Sequence, residues 1–218
     1  RLLGRMCLDQ WGGAYDVAQQ DIERAAAYGL THSVFVKHVW QRWGYDYRLP
    51  EIYPPRNGLE PLKQLADACR DNGILFAPHD NYIDFYPDAA GFSYDHIIFN
   101  RDGTPQRAWL NKGRQAQSYR WLPHAFMPWL EENMKLMKAG FTPTSLFIDV
   151  FSAIRPIDYY DRAGTFHMNT RTMDEWARAF DVSRDILGRG APMLSEAGHD
   201  GLVGSLDGGQ ADHNSAAN

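Results

Sequence analysis

The feature that most constrains the fold of this chain is a short apolar run that encloses one carboxylate. Residues 146–150 read Leu-Phe-Ile-Asp-Val, and continuous apolar runs of this length are typical of parallel strands, which are buried on both faces. Burying Asp149 is costly, but a parallel α/β barrel tolerates an acid where its strand ends open onto an active site. Glu196 ends a similar run further along the chain. This second acid disfavours the alternative role for Asp149, which is to cap the segment after the strand.

The same strand–helix unit recurs along the chain. Apolar and β-branched runs predict strands at positions 5–11, 33–40, 74–80, 145–151 and 193–196. Apolar residues at helical spacing, each set followed by a glycine, predict helices at positions 16–28, 59–72, 125–139 and 172–187. Five strands separated by four helices imply a parallel sheet with right-handed crossovers.

Three local patterns refine this outline. Val17, Ile22, Ala25 and Ala26 fall near helical spacing and are expected on the core side of the first helix. Thr172 and Glu175 match a capping box, in which a hydroxyl and a carboxylate satisfy each other's backbone donors at a helix start. Residues 81–122 are predicted to form one long loop, and loops of that length in a compact domain are usually functional.

Two α/β architectures fit this order of elements: an open doubly wound sheet, or the first units of a (β/α)8 TIM barrel. The phosphate-binding patterns GxGxxG and GxxxxGK[ST] are absent after every predicted strand. Each strand instead ends in polar and aromatic residues, as the catalytic face of a barrel requires. We therefore predict about five of the eight barrel units, with a partial catalytic domain over residues 1–203 and a loop or truncated tail at 204–218. The remaining strands and accessory domains are expected outside this chain.

Composition narrows the classes of partner. The chain has 22 Lys and Arg against 27 Asp and Glu, for a net charge of -5, which argues against nucleic acid because binding phosphates requires a basic surface. Its apolar stretches are too short for a membrane span. The two cysteines form neither a disulfide framework nor a CxxC metal site. With no recognisable signal segment, secreted, periplasmic and cytoplasmic locations all remain open.

The two strand-end acids suggest a reaction class. Neighbouring parallel strands lie roughly 4.8 Å apart, so inward-facing Asp149 and Glu196 could place their carboxyl groups at about 5 to 5.5 Å, the separation typical of retaining glycosidases. Asp149 would then be the nucleophile and Glu196 the general acid and base. This chemistry needs neither a metal nor a cofactor.

Aromatic and polar residues near the strand ends fit a carbohydrate substrate, because aromatic faces stack on sugar rings and polar groups bind ring hydroxyls. Trp109 is assigned instead to core or loop packing. The predicted substrate-binding residues are Asp9, Trp11, Lys37, His38, Trp40, His79, Asp80, Asn81, Phe151, His199 and Asp200.

Three segments resemble a known group of enzymes. The runs at 79–84 (His-Asp-Asn-Tyr-Ile-Asp), 147–150 (Phe-Ile-Asp-Val) and 195–200 (Ser-Glu-Ala-Gly-His-Asp) resemble the catalytic barrel of glycoside hydrolase families 129 and 101, the α-N-acetylgalactosaminidases. The resemblance implies a retaining α-glycosidase with Asp149 as nucleophile and Glu196 as acid/base. Its implied substrate is an α-linked (N-acetyl)galactosamine or a related hexose.

Two other functions remain open at the level of sequence. A metal-dependent barrel hydrolase or isomerase would use nitrogen and oxygen ligands, although no HxH pair or HExxH motif fixes a ligand geometry. The candidate ligands are His38, His79, Asp80, Asp149, Glu196 and His199. A carbohydrate-binding barrel without turnover is the non-enzymatic alternative, because a fold does not by itself imply a function.

Overall fold

A computed structural model describes residues 2–210. Its strands are β1 (Met6–Gln10), β2 (Ser33–Lys37), β3 (Leu75–Asp80), β4 (Asp84–Phe85), β5 (Arg107–Asn111), β6 (Ala116–Arg120), β7 (Leu146–Ile148), β8 (Tyr159–Tyr160), β9 (Phe166–His167), β10 (Met193–Glu196) and β11 (Gly208–Gln210). Its helices are α1 (Tyr15–Ala27), α2 (Leu59–Asp71), α3 (Met127–Gly140) and α4 (Asn169–Leu187). None of these helices has the length and apolar character needed to cross a lipid bilayer.

The centre of the structure is a six-stranded sheet in the order β1-β2-β3-β7-β10-β11. Every neighbouring pair in it is parallel. The α/β class and the five predicted strands are confirmed, since a core strand overlaps each predicted run. The curled sheet with its four helices is compatible with part of a TIM barrel.

The two faces of the sheet carry different cores. Side chains alternate along a strand, so on β2 Val34 and Val36 point to one face and Phe35 to the other. The first face, called here the inner face, is lined by Val34, Val36, Leu75, Ala77, Phe147 and Leu194. The opposite face packs against the helices through residues that include Phe35, Phe76, Leu146, Ile148 and Met193. A residue therefore reaches the inner face only if it lies an even number of positions from another inner-face residue of the same strand. This odd or even position along the strand is called here its parity.

Helix α1 buries a stripe that differs from the predicted one. Tyr15, Ala18 and Ile22 are buried, whereas Val17 is exposed. The helix begins at Tyr15, and spacings of three and four residues from there put these three side chains on one face. The prediction is confirmed for Ile22 and wrong for Val17.

The region predicted as one long loop contains a second sheet. Strands β4, β6 and β5 form an antiparallel sheet in that order, called here the inserted sheet. Phe85 stacks on Trp121 with ring centroids 3.7 Å apart, and this contact anchors the insertion. The pairing of β5 with β6 shifts register between Arg107 and Leu110. That irregularity breaks the alternation by which strands are recognised, so the loop prediction was wrong here.

Helix α4 begins three residues before the predicted capping box. Its first residue is Asn169, so Thr172 lies inside the first turn. The Thr172 hydroxyl donates to the backbone oxygen of Ile157 at 2.8 Å, which ties the helix to the preceding loop. The capping-box prediction is wrong because the helix has already begun at Asn169, so Thr172 is not its N-cap residue.

A sixth parallel strand comes from the segment predicted as a tail. Residues 208–210 form β11 and pair with β10. Two glycines and a glutamine lack the β-branched and aromatic residues by which a strand is predicted. A glycine nevertheless fits at position 209, because a Cβ there would overlap the carbonyl oxygen of Ala197. Positions 211–218 of the predicted tail lie outside the described residues, and the domain boundary at 203 stays a prediction.

A buried polar network joins β3 to α3 behind the sheet. Tyr82 donates from its hydroxyl to Asp80 at 2.7 Å, and Asn133 donates from Nδ2 to the Tyr82 oxygen at 2.9 Å. Burial raises the pKa of Asp80 to about 7, although hydrogen bonds from Tyr82 and the Asn81 backbone act to lower it. Ionising Asp80 therefore opposes folding.

We expect Asp80→Asn to reduce the fall in stability between pH 5 and pH 8. A pKa raised in the folded state gives a contribution that is complete below the unfolded value, near 3.9, and is lost as pH rises through about 7. The free energy of unfolding, measured by urea denaturation, should fall by a few kcal/mol more in the parent than in the variant. Asp21→Asn on the exposed side of α1 is the control, and equal pH dependence in all three proteins would contradict the assignment.

Candidate active site

Titratable side chains gather where the parallel strands end. Asp9, His79 and Glu196 lie in or at the end of β1, β3 and β10, and His38 and Asp149 directly follow β2 and β7. Continuing the strand registers by one residue sets His38 opposite His79 and Asp149 opposite Glu196. All five positions share the parity of the inner-face residues, so they form a polar layer above the inner apolar core.

Two aspartate–histidine pairs stand side by side in this layer. Nε2 of His38 lies 2.6 Å from Oδ1 of Asp9, and Nε2 of His79 lies 3.3 Å from Oδ2 of Asp149. The two imidazole centroids are 5.0 Å apart. Both histidines are well shielded from solvent, so each carboxylate acts on its imidazole in a medium of low polarity.

Trp11 covers the first pair. Its ring stacks on His38 with centroids 4.1 Å apart, and its Nε1 donates to Oδ2 of Asp9 at 2.9 Å. Burial acts to raise the pKa of Asp9, but the hydrogen bonds from His38 and Trp11 and the charge of His38 outweigh it, so that pKa lies below its usual value. Burial lowers the pKa of His38 despite the opposing effect of Asp9.

One cleft of about 440 Å³ contains both predicted catalytic acids. Asp149 and Glu196 line it together with residues from the β2–α2 loop and the inserted sheet. The complete lining is Trp11, Tyr45, Asp46, Ile83, Asp84, Arg107, Ala108, Trp109, Arg120, Asp149, Val150 and Glu196.

Several of these lining residues were not anticipated from sequence. Tyr45 lies among rings, with its centroid 5.0 Å from Trp11 and 5.2 Å from His79. Trp109, which the sequence assigns to core or loop packing, meets Tyr45 edge to face and keeps 46% of its surface exposed. The only sequence signal for this wall was the unusual length of the region after β3. Its aromatic content did not show which rings would face the cleft.

Asn81 organises a pair of buried acids beside the cleft. Its Nδ2 donates to Oδ2 of Asp84 at 2.9 Å and to Oδ2 of Asp46 at 3.3 Å. Its Oδ1 accepts from the backbone of Ile83 and Asp84. Burial, then the charges of Asp149 and Asp84, raises the pKa of Asp46 well above its usual value, and burial raises the pKa of Asp84. Asn81 thus shapes the site through these acids.

Two predicted binding residues on or beside β2 lie on the helix side. Lys37 is fully buried and donates from Nζ to Oε1 of Gln10 at 2.7 Å and to backbone oxygens of the β1–α1 loop. Burial lowers its pKa to about 8. Trp40 packs edge to face on Phe141 and donates from Nε1 to the His79 oxygen at 2.7 Å. Lys37 has the wrong parity for the cleft, and Trp40 lies in the core.

Four further predicted residues lie neither in the cleft nor in the polar layer beside it. Asp80 belongs to the buried network with Tyr82, and Phe151 stacks on Trp176 of α4 with centroids 4.9 Å apart. His199 and Asp200 line a separate depression of about 560 Å³. The ring of His199 is held there by the Phe151 oxygen at 3.1 Å and the Gly201 backbone N–H. The number of residues between each of these positions and its strand end did not show which way the side chain would point.

One group of buried side chains could hold a cation. Ligand atoms of Asp46, His79 and Asp149 all lie within 4.8 Å of one another. Carboxylate and imidazole ligands suit several divalent metals. The other nitrogen of His79, Nδ1, lies 2.9 Å from Nε2 of Gln41.

The fold is similar to that of solved glycoside hydrolases. The α-N-acetylgalactosaminidase NagBb from Bifidobacterium bifidum, in complex with GalNAc, superposes with a TM-score of 0.81 at 20% identity over 94% of this chain and 36% of that chain. The α-galactosidase TtGalA from Thermus thermophilus, in complex with stachyose, gives 0.66 at 19% identity over 97% and 44%. The maltogenic α-amylase AmyB from Thermotoga neapolitana gives 0.67 at 11% identity over 96% and 50%.

These comparisons establish the fold. The predicted likeness to an α-N-acetylgalactosaminidase barrel is confirmed at that level. The chain spans only about a third to a half of the length of these neighbours. No protein-family model matches the sequence, and no curated protein does either.

We expect Asp9→Asn to lower the pKa of His38 further. The hydrogen bond and the charge of Asp9 raise that pKa against the larger effect of burial, and the variant removes the charge. Following the imidazole carbon signal by NMR during a pH titration measures the change, with Asp21→Asn as control. A His38 pKa that stays the same or rises in Asp9→Asn would contradict the pairing.

Proposed function

We propose that this chain is the core of a retaining glycoside hydrolase acting on an α-linked (N-acetyl)galactosamine or a related hexose. The observation that carries the proposal is that Asp149 and Glu196, on the paired strands β7 and β10, line one cleft. Adjacent strands lie about 4.8 Å apart, which suits the carboxyl separation of about 5 to 5.5 Å in retaining enzymes. The similar fold of three glycoside hydrolases supports the reaction class.

The mechanism would be a double displacement. Asp149 attacks the anomeric carbon while Glu196 donates a proton to the departing glycosidic oxygen, which gives a covalent glycosyl ester. Glu196, now a carboxylate, takes a proton from water, and the resulting nucleophile attacks the same carbon and releases Asp149. Two inversions give net retention. No metal or cofactor takes part in these steps.

The remaining cleft residues suit recognition of a sugar. Trp11, Tyr45 and Trp109 offer ring faces and edges for the apolar side of a pyranose. Asp84 and Arg120 offer groups to its hydroxyls, and Nη1 of Arg120 is buried without a hydrogen-bond partner among residues 2–210. The names of NagBb, solved with GalNAc, and of TtGalA, an α-galactosidase, favour a galactose-type ring. Further barrel strands and accessory domains are proposed to complete the enzyme.

A metal-dependent hydrolase or isomerase is the second candidate. It is favoured by the close approach of Asp46, His79 and Asp149. In that function the three side chains would bind a divalent ion, and hydrolysis would depend on it. Activity that is lost with a chelator and restored by manganese or zinc would support this candidate and count against the double displacement.

We expect Asp149→Asn and Glu196→Gln each to lower kcat on an aryl α-N-acetylgalactosaminide by roughly 10³-fold while sugar binding persists. The assays use the natural polypeptide at its full length. Asp21→Asn on α1 and Glu132→Gln on α3 make the same chemical changes at exposed positions and should retain parental rates.

Two outcomes would contradict the proposal. If both active-site variants hydrolyse the aryl glycoside as fast as the parent, the carboxylate roles are wrong. If the first sugar product seen by proton NMR is the β anomer, the reaction inverts. Binding of galactose-type sugars by a parent protein that shows no turnover would instead identify a carbohydrate-binding barrel.

A further inference from the structure

Gln41 is a fully buried amide that contacts one histidine twice. Its Nε2 atom lies 2.7 Å from the backbone oxygen of His79 and 2.9 Å from the ring atom Nδ1 of the same residue. Gln41 lies in the β2–α2 loop, four residues beyond the end of β2. It does not line the cleft. Any effect of Gln41 on the cleft must therefore be transmitted through His79.

The contact with a backbone oxygen fixes which way the amide points. A carbonyl oxygen only accepts hydrogen bonds, so the atom facing it must be the amide nitrogen of Gln41. The backbone N–H of Trp40 lies 3.4 Å from Oε1 of Gln41, which agrees with this orientation. The same amide nitrogen, with its second hydrogen, faces Nδ1 of His79. Nδ1 must then accept, and a neutral His79 carries its proton on Nε2.

The proton on Nε2 lies beside Asp149 but has no hydrogen-bond partner among residues 2–210. Nε2 of His79 lies 3.3 Å from Oδ2 of Asp149, and both side chains are buried. A lone pair on Nε2 would instead meet the lone pairs of a carboxylate. The imidazole plane is held by Phe147 below and by Tyr45 and His38 beside it, at centroid distances of 5.8, 5.2 and 5.0 Å.

We propose that Gln41 is a positioning residue that locks His79 in the Nε2–H tautomer, so that the imidazole presents its N–H beside Oδ2 of Asp149. A hydrogen bond completed there in the substrate complex would leave Oδ1 free to attack. The inference rests on the proposed role of Asp149 as nucleophile. Asp46 is the other acid within reach of His79, and in this tautomer it competes with Asp149 for a single N–H. With the tautomer fixed before the substrate arrives, no proton has to move between the two ring nitrogens during the reaction.

The same lock is unsuited to a metal. An imidazole that binds a metal through Nε2 normally donates its other N–H to an acceptor. In this protein Nδ1 faces an amide N–H of Gln41, so that proton would have no acceptor. The tautomer therefore also distinguishes the two candidate functions.

Nitrogen-15 NMR of the histidine rings tests the tautomer directly. At a pH where His79 is neutral, we expect its signals to show the Nε2–H form in the parent. Gln41→Glu replaces the donor with an acceptor, so His79 should change to the Nδ1–H form or to the doubly protonated imidazolium. Gln41→Met removes both contacts and should give a mixture of tautomers. Gln20→Glu, at an exposed position of α1, is the matched control and should leave the signals unchanged.

Kinetics on the full-length polypeptide then test the positioning role. We expect kcat for an aryl α-N-acetylgalactosaminide to fall by roughly 10- to 100-fold in Gln41→Glu, with little change in KM, because a misaligned nucleophile remains chemically intact. The pH profile of kcat should also change in Gln41→Glu, and not in Gln20→Glu.

Each result decides one claim. An Nδ1–H form in the parent, or an unchanged tautomer in both Gln41 variants, overturns the lock. A changed tautomer with parental kcat overturns the positioning role. Loss of the proposed function itself would appear separately, as an Asp149→Asn variant with full activity, because the NMR measurement requires no turnover.

Discussion

The alternation of side chains along the parallel strands is the constraint on which the site depends. His79 and Asp80 are consecutive, yet one faces Asp149 in the polar layer and the other faces α3 behind the sheet. A slip of one residue in β3 would exchange them. The apolar residues below the layer oppose such a slip, because Leu75 of the same strand would leave the inner core at a cost of roughly 1.5–3 kcal/mol. Packing of the core thus fixes the direction of the acids.

Burying so many titratable groups in one layer is costly, and the structure offsets this cost by pairing them. Asp9 is matched by His38 and Trp11, and Asp149 by His79. Asn81 bridges Asp46 and Asp84 through a single amide. Hydrogen bonds of this kind are stronger away from water, and the same condition makes an unpaired member expensive.

Much of the fold could be predicted from sequence because buried parallel strands are recognisable as continuous apolar runs. The two acids of the cleft, Asp149 and Glu196, were found because each ends such a run. The same rule misplaced Lys37 and Asp80, since a polar residue at a strand end faces the cleft only if its parity is right. The parity of such a residue is known only once the pairing register of the parallel strands is known.

Aromatic residues after the strands were harder to place. Trp40 and Phe151 turn into the core, whereas Trp11 covers the polar layer, and nothing local distinguishes them. Tyr45 and Asp46 approach the site through a long loop whose path depends on tertiary contacts. In one such contact, Nδ2 of Asn111 donates to the backbone oxygen of Asp46 at 2.9 Å. Strand β11 escaped prediction because backbone hydrogen bonding rather than side-chain character recruits it.

The inserted sheet gives the cleft a wall whose origin is separate from that of the parallel strands. Asp84, Trp109 and Arg120 come from this insertion, whereas Asp149 and Glu196 come from the ends of β7 and β10. In the proposed enzyme, substitutions within the insertion would therefore change which glycan binds, while the groups assigned to bond cleavage keep their scaffold. Selectivity and turnover would then depend on different stretches of the chain and could evolve at different rates.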